Sequence, residues 1–192
     1  MTINALDPKA ALLVVDLQKG FAGLQAAHPM KDVVENAVTL LDAFRSRGLP
    51  VVLINVDGRA PGRSEHPFST QALPAGWTEL LPELNRQPDD HVVTKRTWGA
   101  FTNTDLETHL RGRGVTQVVV GGVSTSAGVE STARQAHELG FNVALAIDAM
   151  TDLNADAHHN SVTQIFPRLG ETGTTRDILD LVNAGSHGRR RS

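Results

Sequence analysis

Short, continuously apolar runs alternate along this chain with longer stretches whose apolar residues recur every three or four positions. ALLVVD (11–16), PVVLIN (50–55), HVVTK (91–95), TQVVVGGV (116–123) and FNVALAID (141–148) are unbroken rather than alternating, the pattern of strands covered on both faces. Between them Val33, Val34, Ala37, Leu40, Leu41 and Phe44 keep helical spacing, Leu106 and Leu110 do the same, and Val129, Thr132, Ala133 and Ala136 predict a helix with a small-residue face. Thr174, Thr175, Arg176 and Asp177 ahead of ILDLV have the form of a capping box, with Asp in place of the usual Glu, and mark a last helix. A repeated β-α-β-α order implies right-handed crossovers and a three-layer α/β fold around a parallel sheet. The segment from Asp57 to about Asn85, rich in Pro and Gly, is the longest irregular piece and is expected to lie over a site.

Composition narrows the picture. A chain of 192 residues, 40% hydrophobic, can bury one sizeable core, so a single domain over 1–185 is expected, followed by a disordered basic tail at 186–192. The formal charge of −3 is wrong for a polyanion partner, and the one basic cluster, Arg189 to Arg191, belongs to that tail, so nucleic acid is not expected. The opening MTINALDPKA lacks the basic region and apolar run of a signal peptide, and no run reaches membrane length, which makes a cytoplasmic protein without a membrane partner the expectation. The chain contains no cysteine, and therefore no disulfide, no thiolate ligand and no thiol nucleophile.

In an open parallel sheet, ligands bind beyond the carboxyl ends of the strands. Asp16 closes the first strand, Lys95 closes the third, and GGVSTSAG (121–128) follows the fourth. Taken singly, a strand-end Asp reads as a turn former or helix cap, and a strand-end Lys as a solvated rim residue. If neighbouring strands converge, the same residues put a carboxylate and an ammonium beside the amides that open a helix, a setting made for developing negative charge.

Four stretches in order, VVDLQKGF (14–21), KRTWGAF (95–101), GGVSTSAGVESTA (121–133) and DAMTD with DAHHNSV (148–162), resemble the successive signatures of the isochorismatase-like hydrolase superfamily, over roughly residues 10 to 180. The resemblance implies a Rossmann-like α/β/α sandwich with a mainly parallel six-stranded sheet, and frequent homo-oligomers. It makes Asp16 the acid/base aspartate and Lys95 the lysine that pairs with it. Gly128 stands where the amide-cleaving branch has its nucleophilic Cys, and a cis peptide is implied at Val123–Ser124, with the N–H groups of Ser124 and Gly128 facing an oxyanion.

Without that Cys, the thioester route of the amidases is closed. Ser124, Thr125 and Ser126 read as caps of the following helix or as substrate contacts, and a substitute Ser nucleophile would need a base that no nearby His in the sequence supplies. The branch that cleaves enol ethers resembles this chain in having Gly at the same place. On that reading Asp16 is the general acid in an apolar pocket near Phe21 and Trp98, while Gln18 and Lys95 orient a small, anionic substrate. The turn at 121–128 nevertheless has the Thr-centred form of the amide-cleaving members, which leaves the substrate open, and the loss of the Cys keeps a catalytically silent relative that binds a small molecule or partner, or an amidase using a substitute Ser, as the alternative. No cofactor is expected. The metal site of the nicotinamidase relatives, an Asp with two His beyond it, reads here as Asp57, Gly58, Arg59 and then His66, so no metal is expected either. His158 and His159 read as residues of a helix start, and Arg59 and Arg63 as loop arginines within reach of an anion.

Overall fold

The computed structural model describes residues 2–65 and 73–184; the predicted tail at 186–192 and His66 lie outside them. Six strands, β1 (Ala10–Val15), β2 (Val51–Val56), β3 (His91–Lys95), β4 (Gln117–Val123), β5 (Asn142–Thr151) and β6 (Glu171–Gly173), form one sheet in the order β3-β2-β1-β4-β5-β6, with every pairing parallel. Among the described residues the α-helices are α1 (Met30–Ser46), α2 (Leu106–Gly112), α3 (Glu130–Glu138), α4 (Ala155–Asn160), α5 (Phe166–Leu169) and α6 (Thr175–Ala184).

Why β1 must be unbroken is visible in its packing. Ala10, Leu12 and Val14 enter one core with Leu40, Leu41 and Phe44 of α1 and Ile178 and Val182 of α6. Ala11, Leu13 and Val15 enter the other with Leu106 and Leu110 of α2, Ala133 and Ala136 of α3, and Phe166. A polar residue anywhere in β1 would bury an unpaired group on one side or the other, against about 1.5–3 kcal/mol gained by each fully buried Leu or Val. The result is the three-layer sandwich that the alternation of elements predicts.

Two details depart from the sequence pattern. Strand β5 runs on to Thr151, three residues past the apolar run, because a register shift between Val120 and Gly122 lets Met150 and Thr151 pair with Gly122 and Val123. Strand β6 has only three residues, ETG, and is held by β5 and by the amide of Ile3, which donates to Thr172 O at 2.7 Å. The capping box forms as read: Thr174 N donates to Asp177 Oδ2 at 2.8 Å and Asp177 N to Thr174 Oγ1 at 3.2 Å. Asn154, rather than His158 or His159, opens α4, accepting from the amides of Asp156 and Ala157; the two histidines sit in its last turn.

The strand order reverses between β1 and β4. This is the switch point at which the connections leave in opposite directions and the ends of two adjacent strands stand open. Asp16 follows β1 and Ser124 follows β4, so both sit at that crevice.

Candidate active site

Asp16 takes φ +53°, a left-handed turn that Asp tolerates better than a branched residue would, and its amide donates to Ile54 O at 2.8 Å. The turn leaves its carboxyl within reach of the end of β3. There Lys95, from the far side of β2, donates to Asp16 Oδ2 at 2.7 Å and to Thr97 O at 3.1 Å. Both side chains are buried, with 2% of the lysine and 6% of the aspartate exposed. Asp16 Oδ1 is also buried but meets no hydrogen-bond donor among the described residues. Removal from water raises the Asp16 pKa to about 6, more than the charge and hydrogen bond of Lys95 lower it.

Strand β4 comes close enough to β1 that only glycine fits at 122. A β-carbon there would lie 2.0 Å from Val15 O, and the residue takes φ +120°. The Val123–Ser124 peptide is cis. A wide turn, Thr125–Val129, then leads into α3. Gly128 is buried in this turn, and a β-carbon built on it would stand 3.1 Å from Asp16 Oδ2, 3.1 Å from Val15 Cγ1 and 3.2 Å from Val123 O. The structure thus brings Asp16, Lys95 and Gly128 into one buried cluster.

The remaining residues singled out in the sequence divide by where their side chains go. Gln18 is fully buried, and its amide is committed to the backbone: Nε2 donates to Val56 O and Trp77 O, both at 3.1 Å, and Oε1 accepts from Val56 N at 2.8 Å. It therefore ties the ends of β1 and β2 to the long connecting segment instead of presenting its amide to a ligand. The described part of that segment packs against the residues that follow Asp16, since Leu81 N donates to Leu17 O and Gly20 N to Trp77 O. Phe21 packs edge-on to Trp77, with ring centroids 5.1 Å apart. Trp98 is 66% exposed and stands outside the cleft that Phe21 lines, so the aromatic neighbour of Phe21 is Trp77 and not Trp98.

Thr125 is fully buried, its hydroxyl 2.8 Å from His158 Nδ1. Burial, followed by the nearby His28 ring, holds His158 below the usual histidine range. Both the amide and the hydroxyl of Ser126 donate to Asp152 Oδ2, at 2.7 and 2.8 Å. Asp152 and His158 lie inside the motif DAMTD…DAHHNSV but carry no sequence signal of these roles, because their partners sit 26 and 33 residues away. Ser124 is half-buried and lines a narrow cleft with Phe21, Leu24, Met30, Val123, Thr151, Asp152 and Leu153.

Asp57, the first member of the metal triad sought in the sequence, is forked by Arg96, which donates to its two oxygens at 2.9 and 3.2 Å. Arg59 and Arg63 are exposed.

The arrangement presents a carboxyl with one oxygen held by a cation, the other without a donor, and a proton affinity near the neutral range. Such a group can deliver or take a proton.

Comparison with known proteins places these features in context. The Isochorismatase domain model matches residues 10–177. The isochorismatase family protein YwoC of Bacillus subtilis is 38% identical over 188 residues, covering 94% of this chain and 98% of its own length. Nicotinamidase 3 of Arabidopsis thaliana is 31% identical over 163 residues, covering 81% of this chain and 80% of its own. Among solved structures, an isochorismatase family protein from Burkholderia thailandensis superposes with a TM-score of 0.91 at 39% identity, covering 95% of this chain and all of that one.

Proposed function

This chain belongs to the isochorismatase family of hydrolases, and from that premise we propose that it cleaves an enol ether, or a similarly labile bond, by proton transfer from Asp16 without a covalent intermediate. The observation that carries the proposal is the state of Asp16: buried, raised to about 6, gripped by Lys95 through Oδ2 and without a donor on Oδ1. At pH 7 about a tenth of such a group is protonated, enough for a general acid. Oδ1–H would protonate the terminal vinyl carbon as the C=C pair forms the new C–H bond, leaving an oxocarbenium ion. Water would add to that cation and return a proton to the carboxylate, and the hemiketal would collapse to a carbonyl product and an alcohol. Lys95 holds Asp16 in place and moderates its proton affinity. Gly128 contributes absence, leaving the space above Asp16 Oδ2 free of a side chain.

Amide cleavage through a thioester, which the resemblance implies for the Cys-bearing branch, has no nucleophile in a chain without cysteine. A substitute Ser is poorly supported, because the hydroxyl of Ser126 is spent on Asp152. The hydroxyl of Thr125 does face a histidine, but from full burial. A purely binding role leaves the Asp16–Lys95 pair unexplained, since replacing a buried ion pair by apolar residues is often neutral or stabilising.

The test is release of phenol from aryl vinyl ethers, with aryl acetates and anilides alongside, by the wild type and by Asp16→Asn. The proposal expects vinyl ether cleavage by the wild type and none by the variant, and it fails if the wild type acts only on the acyl compounds or the variant keeps full activity.

A further inference from the structure

We infer that the molecule accepted by this site is uncharged and places an apolar group in the cleft beside Val123 and Ser124. The chemistry performed on it rests on the acid-catalysed reading above, whereas its charge is read from the walls of the cleft alone.

An anionic substrate would look for two things here: a cation lining the cleft, and the amides at the start of the turn that follows β4. The lining supplies no lysine or arginine among the described residues. Lys95 is not part of the lining, and its ammonium already donates to Asp16 and to Thr97 O. The amide of Ser126, at the start of the turn Thr125–Val129, already donates to a carboxylate, that of Asp152. Asp152 is 94% buried by its fold position, with 6% exposed, and its other oxygen accepts from Asn154 N at 3.1 Å. The protein thus places its own anion on the first free amide of that turn, where a ligand's anion could otherwise bind. Asp152 is also one of the residues that line the cleft. A second carboxylate there would face like charge with no counterion in the wall.

The rest of the wall favours the opposite kind of ligand. Phe21, Ala26, Met30 and Val123 give the cleft apolar walls, and Leu24 and Leu153, which also line it, are 40% and 58% exposed. Exposed apolar surface lining a site is surface for an apolar group to cover. Ser124 and Thr151 are the uncharged polar residues of the lining. The expectation of an anionic substrate is thereby replaced by one in which a ring or branched alkyl group binds beside a neutral ether, ester or amide.

Two saturated, nearly isosteric probes separate charge from chemistry: 2-phenoxypropanamide and 2-phenoxypropanoate, neither of which has a vinyl carbon to protonate. Titration calorimetry with the wild type at pH 7.5 should show the neutral amide binding at least about tenfold more tightly than the acid. Asp152→Asn should narrow that gap. So should Leu153→Lys, a change at an exposed position that does not disturb the turn. Equal or tighter binding of the acid by the wild type, no binding of either probe, or a gap that Leu153→Lys leaves unchanged would overturn the inference. Because the probes are not turned over, a failure of the acid-catalysed reading would leave this result standing, and the reverse holds equally.

Discussion

The Lys95 ammonium reaches beneath β2 to donate to Asp16 Oδ2 at 2.7 Å, and so joins two strand ends that are not neighbours in the sheet. The ion pair is buried on both sides, and only one of its carboxylate oxygens is satisfied. Stability and reactivity therefore depend on the same contact.

Lys95→Met should be costly in a pH-dependent way. The charge of Lys95 and its hydrogen bond both hold the Asp16 pKa down, so their loss drives it above its present value of about 6. A carboxyl whose folded pKa is raised favours the protonated form in the fold. Its contribution to stability is therefore fullest below the unfolded value of 3.8 and is lost as pH rises through the folded value. The variant should lose about 3–5 kcal/mol relative to wild type at pH 8, where it must bury a lone carboxylate, and clearly less at pH 5. Urea unfolding at the two pH values measures this; equal losses at both would show that the lysine acts through packing alone.

The same shift predicts the pH dependence of both stability and rate. In the wild type, the rise of Asp16 from 3.8 to about 6 should remove roughly 3 kcal/mol of stability between pH 4 and pH 7, and Asp16→Asn should flatten that part of the profile. For catalysis by the protonated acid, kcat/KM should fall as pH rises past about 6, tenfold per unit. A rate that instead climbs through that range would make Asp16 a base.

Much of this architecture is legible in the sequence because its causes are local or strongly periodic. Strands β1 to β5 announce themselves as apolar runs, buried throughout in the central strands β1 and β4 and only in part in the edge strand β3, and the Thr174–Asp177 box is complete within four residues. Strand β6 is not legible: Glu171, Thr172 and Gly173 carry no apolar pattern and are strand only because β5 and Ile3 offer them backbone partners. At the site, Asp16, Lys95 and Gly128 could be singled out from strand-end position and from the motifs, but not the direction of the side chains around them. Gln18 stands two residues beyond Asp16 in the motif, yet its amide is claimed by Val56 and Trp77, the latter 59 residues away. Trp98 sits three residues beyond Lys95 and still faces solvent. Asp152 gains its meaning from Ser126, a partner that only the crossing from β4 to β5 brings near.

Gly128→Ala tests whether the missing side chain matters. The added methyl would stand 3.1 Å from both Asp16 Oδ2 and Val15 Cγ1, tight enough to displace the carboxyl by a few tenths of an ångström. Stability should fall by about 1–3 kcal/mol, as for other overpacked sites, while kcat should fall by about tenfold or more because the proton donor is moved. An activity loss no larger than the loss in folded fraction would remove Gly128 from the account.

The central claim, that Asp16 delivers a proton to carbon, is tested most directly by turnover in deuterium oxide. With an aryl vinyl ether as substrate, the released acetaldehyde should carry one deuteron on the carbon that was the vinyl terminus, and the wild-type rate should drop severalfold, since that transfer is part of the slow step. No mass corresponding to a covalent adduct should accumulate on the protein. Acetaldehyde formed without deuterium on carbon, or an adduct trapped on Ser124 or Ser126, would contradict the account.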